Sequence, residues 1–325
     1  MRKKVINNTV IYGYVYQLGT TDKNRLQVKT VKNPNSPNFG KEFIQGELDV
    51  AVDEDGLNVV PIHFTYVTRY QKDGKTENRT YGILKSLIEN ESDKTWISAG
   101  KENAAKVKVT TSLDVNDFYS VKQNQLVAAL QIRGSFVDNI STLPVEDERN
   151  KFEADILFNR ASRIEADEEK GIEQDYLELG GAVFNFKGEL LPLKFCVRIE
   201  SGIEYFESLD ISSSNPQFMS CIGHVNCMTV RKELHSESVW GEAKVDVFEN
   251  KSKTLDITGI QKVYDFGDED NGITAEELKT KMQDRQIKLA TIKKDTEDYQ
   301  ANKEKTTSSF DKILPKDDND EDYDF

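Results

Sequence analysis

Residues 59–70 read VVPIHFTYVTRY. One face of this alternation carries Val60, Ile62, Phe64, Tyr66, Thr68 and Tyr70, the pattern of a strand with one side turned to a core. A polar turn follows at residues 71–75, QKDGK, and then the period changes. Tyr81, Leu84, Leu87 and Ile88 line one side of a helix over residues 79–89. Toward the N-terminus, residues 43–52 form a strand closed by the turn at residues 53–56, residues 26–31 form another, and residues 9–17 form the first. That first strand is apolar on both faces, with Gly13 in its middle where a small barrel needs a bend. Toward the C-terminus, residues 107–113 and 125–137 read as strands. Evenly spaced strands around one helix, with no βαβ alternation, predict a small closed barrel.

The chain has 325 residues, 37% of them hydrophobic and 31% charged, enough for two domains. No run is long and apolar enough to span a membrane, and Met1-Arg-Lys-Lys precedes no hydrophobic stretch, so no membrane partner and no secretory signal are expected. Three cysteines, Cys196, Cys221 and Cys227, suit a reducing compartment, and a cytoplasmic location is expected. The net charge of −14 is unevenly spread. Residues 1–134 hold 19 basic against 15 acidic side chains, residues 135–264 hold 14 against 24, and residues 265–325 hold 10 against 18. Only the first segment has the balance to present a basic face to phosphates.

The order strand–strand–strand–helix–strand–strand, ending in SLDVNDFY (residues 112–119) and QLVAALQIRGSF (residues 125–136), resembles the OB-fold of single-stranded DNA-binding proteins, particularly those of phages. The last nine residues, DDNDEDYDF, point the same way. Asp317, Asp318, Asp320, Glu321, Asp322 and Asp324 are acidic, Tyr323 lies among them, and the chain stops on Phe325. Such a run cannot bury enough apolar surface to order itself, so a disordered tail is expected. It is similar to the C-terminal tips through which single-stranded DNA-binding proteins recruit replication or recombination proteins.

What the resemblance implies is sequence-tolerant binding of a single strand by aromatic stacking in a cationic groove. Three groups of residues fit that chemistry. Aromatic and cationic side chains interleave at Tyr66, Arg69, Tyr70, Lys72, Lys75 and Arg79. Arg25, Lys29, Lys32, Phe39, Lys41 and Phe43 form a second group around a Pro/Gly/Asn-rich loop, and Lys106 and Lys108 a third, with Phe118 and Tyr119 nearby. Phe64 and Tyr81 are expected in the core, by their alternating and helical positions. Tyr12, Tyr14 and Tyr16 fit core and ligand contact equally well.

Residues 135–266 repeat the plan less clearly. Segments 152–161, 176–186, 190–199, 218–230 and 242–263 are strand-like, with a hairpin turn at residues 186–190, and a second OB-like barrel is expected. Its acidic balance argues for packing on the first unit or for self-association. Thr274 and Glu277 form a capping box for a helix within residues 267–304, with Leu278, Met282, Leu289, Ile292 and Tyr299 on one stripe. Residues 305–325 are then linker and tail. Cys221, His224, Cys227 and His235 carry four possible zinc ligands, but C-x2-H-x2-C fits no standard knuckle, and a strand would turn His224 away from the two cysteines. No metal and no cofactor are expected. Phosphate-loop, serine-hydrolase and zinc-protease signatures are absent, which argues against an enzyme. The expected fold is mainly β: an OB-like barrel, a second OB-like β domain, a C-terminal helix and an acidic tail. The expected function is single-stranded DNA binding in replication or recombination. The rival is a viral structural or adaptor protein whose barrels make protein contacts.

Overall fold

The computed structural model describes residues 5–71, 73–167, 172, 174–235, 245–264 and 274–310. Strands β1 (Asn7–Gln17), β2 (Gln27–Thr30), β3 (Glu42–Ala51) and β4 (Val59–Thr68) lead into helices α1 (Arg79–Glu89), α2 (Glu91–Lys94) and α3 (Trp96–Ala99). Strands β5 (Lys106–Ser120) and β6 (Gln125–Asn139) follow. β1 runs antiparallel to β3 and β5, β3 to β4, and β5 to β6. β4 and β6 close the ring in parallel, with Ile62 opposite Ile132. The ring order is therefore β1-β3-β4-β6-β5, with β2 added on β3. A five-strand ring with one parallel closure and a helix after its third strand is the OB topology.

The barrel closes because its strands alternate. Ile11, Val15, Ile44, Leu48, Val60, Ile62, Phe64, Val109, Leu113 and Ile132 are all buried inside. Each fully buried side chain of this kind contributes about 1.5–3 kcal/mol. α1 closes one end with Tyr81, Leu84 and Leu87. Asn78 caps it by accepting from the Thr80 N–H at 3.1 Å, and the Tyr81 hydroxyl donates to Glu42 at 3.0 Å. The alternation fails at one point. Ile44 lies opposite Val67 but Gly46 lies opposite Phe64, so two residues of β4, Thr65 and Tyr66, share the place facing Gln45. The extra residue reverses the parity of β4 beyond it. Tyr66, which simple alternation would put on the face of Phe64 and which its cationic neighbours mark as a ligand contact, turns outward, while Val67 packs against the core. Gly46 sits in this bulge at φ +133°, and a Cβ there would strike the Arg25 carbonyl.

The second half repeats the ring. β7 (Asn150–Ile164), β8 (Tyr176–Phe184) and β9 (Leu190–Val197) form a meander, α4 (Glu200–Ser208) follows, and β10 (Gln217–His235) and β11 (Val245–Tyr264) form a long hairpin. β10 pairs with β7, and β11 meets β9 in parallel at Asp256 and Cys196. α4 holds the place of α1 and buries Ile203 and Phe206. Sequence reasoning did not anticipate this helix. The two rings are joined by β1 against β7, with Val10 opposite Lys151.

Each ring also reaches into the other with its last hairpin. The β10–β11 arm meets the start of β4, where Asn58 donates to Asn226 at 2.9 Å and accepts from the Cys227 N–H at 2.8 Å. The β5–β6 arm meets α5 (Ala275–Phe310), where Asp117 takes a bidentate contact from Arg285 at 2.6 and 3.2 Å. The capping box forms as read: the Thr274 N–H donates to Glu277 at 3.1 Å and the Glu277 N–H to Thr274 at 3.2 Å. The helix runs to Phe310, beyond the linker boundary expected at residue 305, since propagation of an established helix costs little. Its inward line is Leu278, Arg285, Leu289 and Ile292, and Met282 and Tyr299 are exposed. The ion pair with Asp117 sets that rotation.

Candidate nucleic-acid interface

The outer faces of β2, β3 and β4 carry one aromatic and cationic surface. Register puts Lys29, Phe43 and Thr68 on one rung. The Phe43 and Tyr66 rings lie 4.7 Å apart, tilted by 37°. Tyr66 is 45% exposed, and Phe39, on the loop between β2 and β3, is 58% exposed. Beyond Tyr66 the Arg69 guanidinium lies 5.3 Å from the Tyr70 ring and 3.6 Å from Glu77. Lys41 donates to Asn38 at 3.1 Å, and Arg25 is ion-paired with Glu91. Lys29, Lys32 and Lys75 carry no ion pair among the described residues. Lys72 and the tail residues 317–325 lie outside the described residues.

Sequence reasoning passed over Arg133 on the same side. It donates to Asp114 and to the Thr65 hydroxyl, both at 3.1 Å, and lies beside His63 in the β4–β6 register. Its signal was present, the one cation of β6, set between Ile132 and Gly134. His63 stands 3.9 Å from Glu47, and burial pushes its pKa down. Exposed ring faces beside unpaired ammonium groups can stack planar groups and neutralise phosphates together.

The remaining candidates lie elsewhere. Lys106 and Lys108 sit opposite Tyr14 and Tyr12 on the β1–β5 ladder, across the ring from β4. Their ammonium groups lie 5.6 and 5.7 Å from those rings. Arg79 bonds Asp138 at 3.1 Å, and Asp138 is the β6 partner of Lys108. At the end of this face Lys101 lies 5.4 Å from the Trp96 ring and 2.6 Å from Glu54. Hydrogen bonds from Lys101 and then Arg149 hold the Glu54 carboxyl down at about 2. The three groups read from the sequence thus form two separate surfaces. Tyr12, Tyr14 and Tyr16 face outward, and Phe64 and Tyr81 are core.

The model of the YorF family matches residues 19–295, most of both rings and more than half of α5. The chain belongs to the YorF family. Among solved structures, this YorF-family chain is similar to the wild-type single-stranded DNA binding protein from Thermus aquaticus. Identity is 12% and the TM-score 0.45, over 83% of this chain and 98% of that one. A deletion mutant of the same protein is similar at 12% identity and a TM-score of 0.43, over 82% and 99%. Curated protein sequences yield no match.

The cysteine–histidine stretch of this YorF-family member is split by its strand. Cys221 and Cys227 are buried, and burial pushes their thiols up to about 12 and about 11. His224 points to the other side, its Nε2 lying 3.0 Å from the Asp147 carbonyl. Among the described residues no group of three His, Cys, Asp or Glu is placed to hold a metal.

Proposed function

We propose that this YorF-family protein binds single-stranded DNA with little sequence preference, in replication or recombination. The Phe43–Tyr66 pair carries the reading. A bulge turns Tyr66 outward beside Phe43 and on the same face as Lys29, where burial would have been the default for an alternating strand. Two stacked rings beside cations suit bases and phosphates, and the geometry asks for no particular base edge. Titration of the full chain with oligo-dT, followed by tyrosine fluorescence, tests it. We expect binding whose log K falls linearly with log salt, by about 0.7 per phosphate neutralised. Oligo-dT left free at low salt would overturn the assignment.

The tail completes the proposal, on composition alone. Its six carboxylates mimic a phosphate run and compete with DNA for the basic surface. Groups carried on one chain meet at effective concentrations up to the millimolar range. Deleting residues 317–325 is expected to tighten oligo-dT binding several-fold at low salt and to lose that effect as salt screens the charges. Equal affinities for the two forms at every salt concentration would refute the competition. Phe325 is then the residue offered to a replication or recombination partner. A phage origin accords with the motifs of the first ring and with this tail.

A further inference from the structure

The β1–β5–β6 face has the same chemistry as the β2–β3–β4 face but cannot belong to the same contact, because the barrel stands between them. Three successive rungs build it. Val10, Thr110 and Phe136 share one, Tyr12, Lys108 and Asp138 the next, and Tyr14 with Lys106 the third. Phe136 is 64% exposed, the most of any aromatic residue in the first ring, with no other ring stacked on it among the described residues. Lys106 and Lys108 are free of carboxylate partners among the described residues and instead lie over the Tyr14 and Tyr12 rings. Arg79 reaches in from the start of α1, 75% exposed, with Asp138 at 3.1 Å as its one anion among the described residues. An outward phenylalanine beside unpaired lysines contributes nothing to the core and lowers solubility unless something covers it.

We propose that this second face binds a further stretch of the same DNA strand, so that a long strand passes from the β2–β3–β4 face around the ring. The inference rests on the proposed single-strand binding. Charge complementarity selects the occupant: two rungs each set a cation beside an aromatic ring, the pair of contacts that a phosphate and its base call for. The conformation of Lys106 and Lys108 fits this role, since an ammonium group resting on a ring can swing to a phosphate and leave the ring face to a base.

Oligo length separates this proposal from the first. A short oligo of roughly eight nucleotides can fill one OB face, whereas one of roughly thirty exceeds a single OB site. Lys106→Glu/Lys108→Glu and, separately, Phe136→Ala are compared with the unmodified chain by fluorescence anisotropy with both oligos. We expect the charge variant to weaken the long oligo at least tenfold and to lower its salt slope by about 1.4, at about 0.7 per phosphate, with the short oligo unchanged. Phe136→Ala removes an exposed ring that supports no core, and it should weaken the long oligo several-fold with the same selectivity. Variants that bind both oligos like the unmodified chain overturn the proposal, and so does equal weakening of both, which would place these residues in a single site. If the unmodified chain binds neither oligo, the single-strand reading itself fails.

Discussion

Replacing Phe43 and Tyr66 together by alanine should weaken oligo-dT binding on the order of a hundredfold. Stacking of a base on an aromatic side chain contributes about 1–3 kcal/mol by alanine substitution, and two such contacts at about 1.4 kcal/mol each give that factor. The two rings touch each other and solvent on the outside of β3 and β4, so the core is spared. The double variant should therefore melt within a few degrees of the parent. Fluorescence or calorimetric titration at fixed salt gives the affinity, and thermal unfolding gives the control. The salt slope should stay near its parent value, because no cation is removed. A folded double variant with parental affinity would show that DNA binds elsewhere, and the β2–β3–β4 surface would lose its assignment.

The second large effect is structural. Asp117 lies near the far end of β5 with its side chain 3% exposed, and its partner Arg285 on α5 is 11% exposed. Arg285→Ala leaves a buried carboxylate with only Lys288, whose ammonium stands 3.8 Å away. Removing one partner of a buried pair costs about 3–5 kcal/mol, because the remaining charge has lost both its hydration and its hydrogen-bonded partner; Lys288 places the loss at the lower end. Urea denaturation should shift to a lower midpoint, and limited proteolysis should cut within residues 275–310 first. Arg285→Lys should recover only part of the loss, since an ammonium cannot make the two parallel bonds to both carboxylate oxygens. An unchanged midpoint for Arg285→Ala would mean that α5 is held by its apolar line alone.

Much of the first ring was legible because its strands obey a period of two and its helix a period of 3.6. Phe64, Tyr81 and Leu84 follow from pattern, and the outward Phe39 and Tyr70 from their places in a loop and beyond a strand end. The outward turn of Tyr66 does not, because a bulge is a pairing event between two strands and leaves no mark on β4 itself. Glycine at position 46 is its only trace. α4 was missed for a related reason. Nine residues with Gly202 in the first turn carry too little periodicity to stand out between strands, and the helix is held by what Ile203 and Phe206 bury against. The division of the cationic candidates into two faces was also hidden. Lys29 and Lys108 look alike in the sequence, and only ring closure decides which side of the barrel each occupies. Arg133 was readable, as the one cation in the strand-like stretch of residues 125–137.

The reciprocal reach of the two terminal hairpins has a consequence for synthesis on the ribosome. The first ring cannot complete its contacts when its own last strand has emerged. Asn58 waits for Asn226 and Cys227, and Asp117 waits for Arg285, separations of 168 residues in both of the side-chain pairs. β1 waits as well, since its outer edge is an open ladder until β7 arrives. Loop closure over such distances is slow, and unpaired strand edges left open meanwhile invite other nascent chains. The contacts that join the two rings can therefore form only after the second half of the chain has been made.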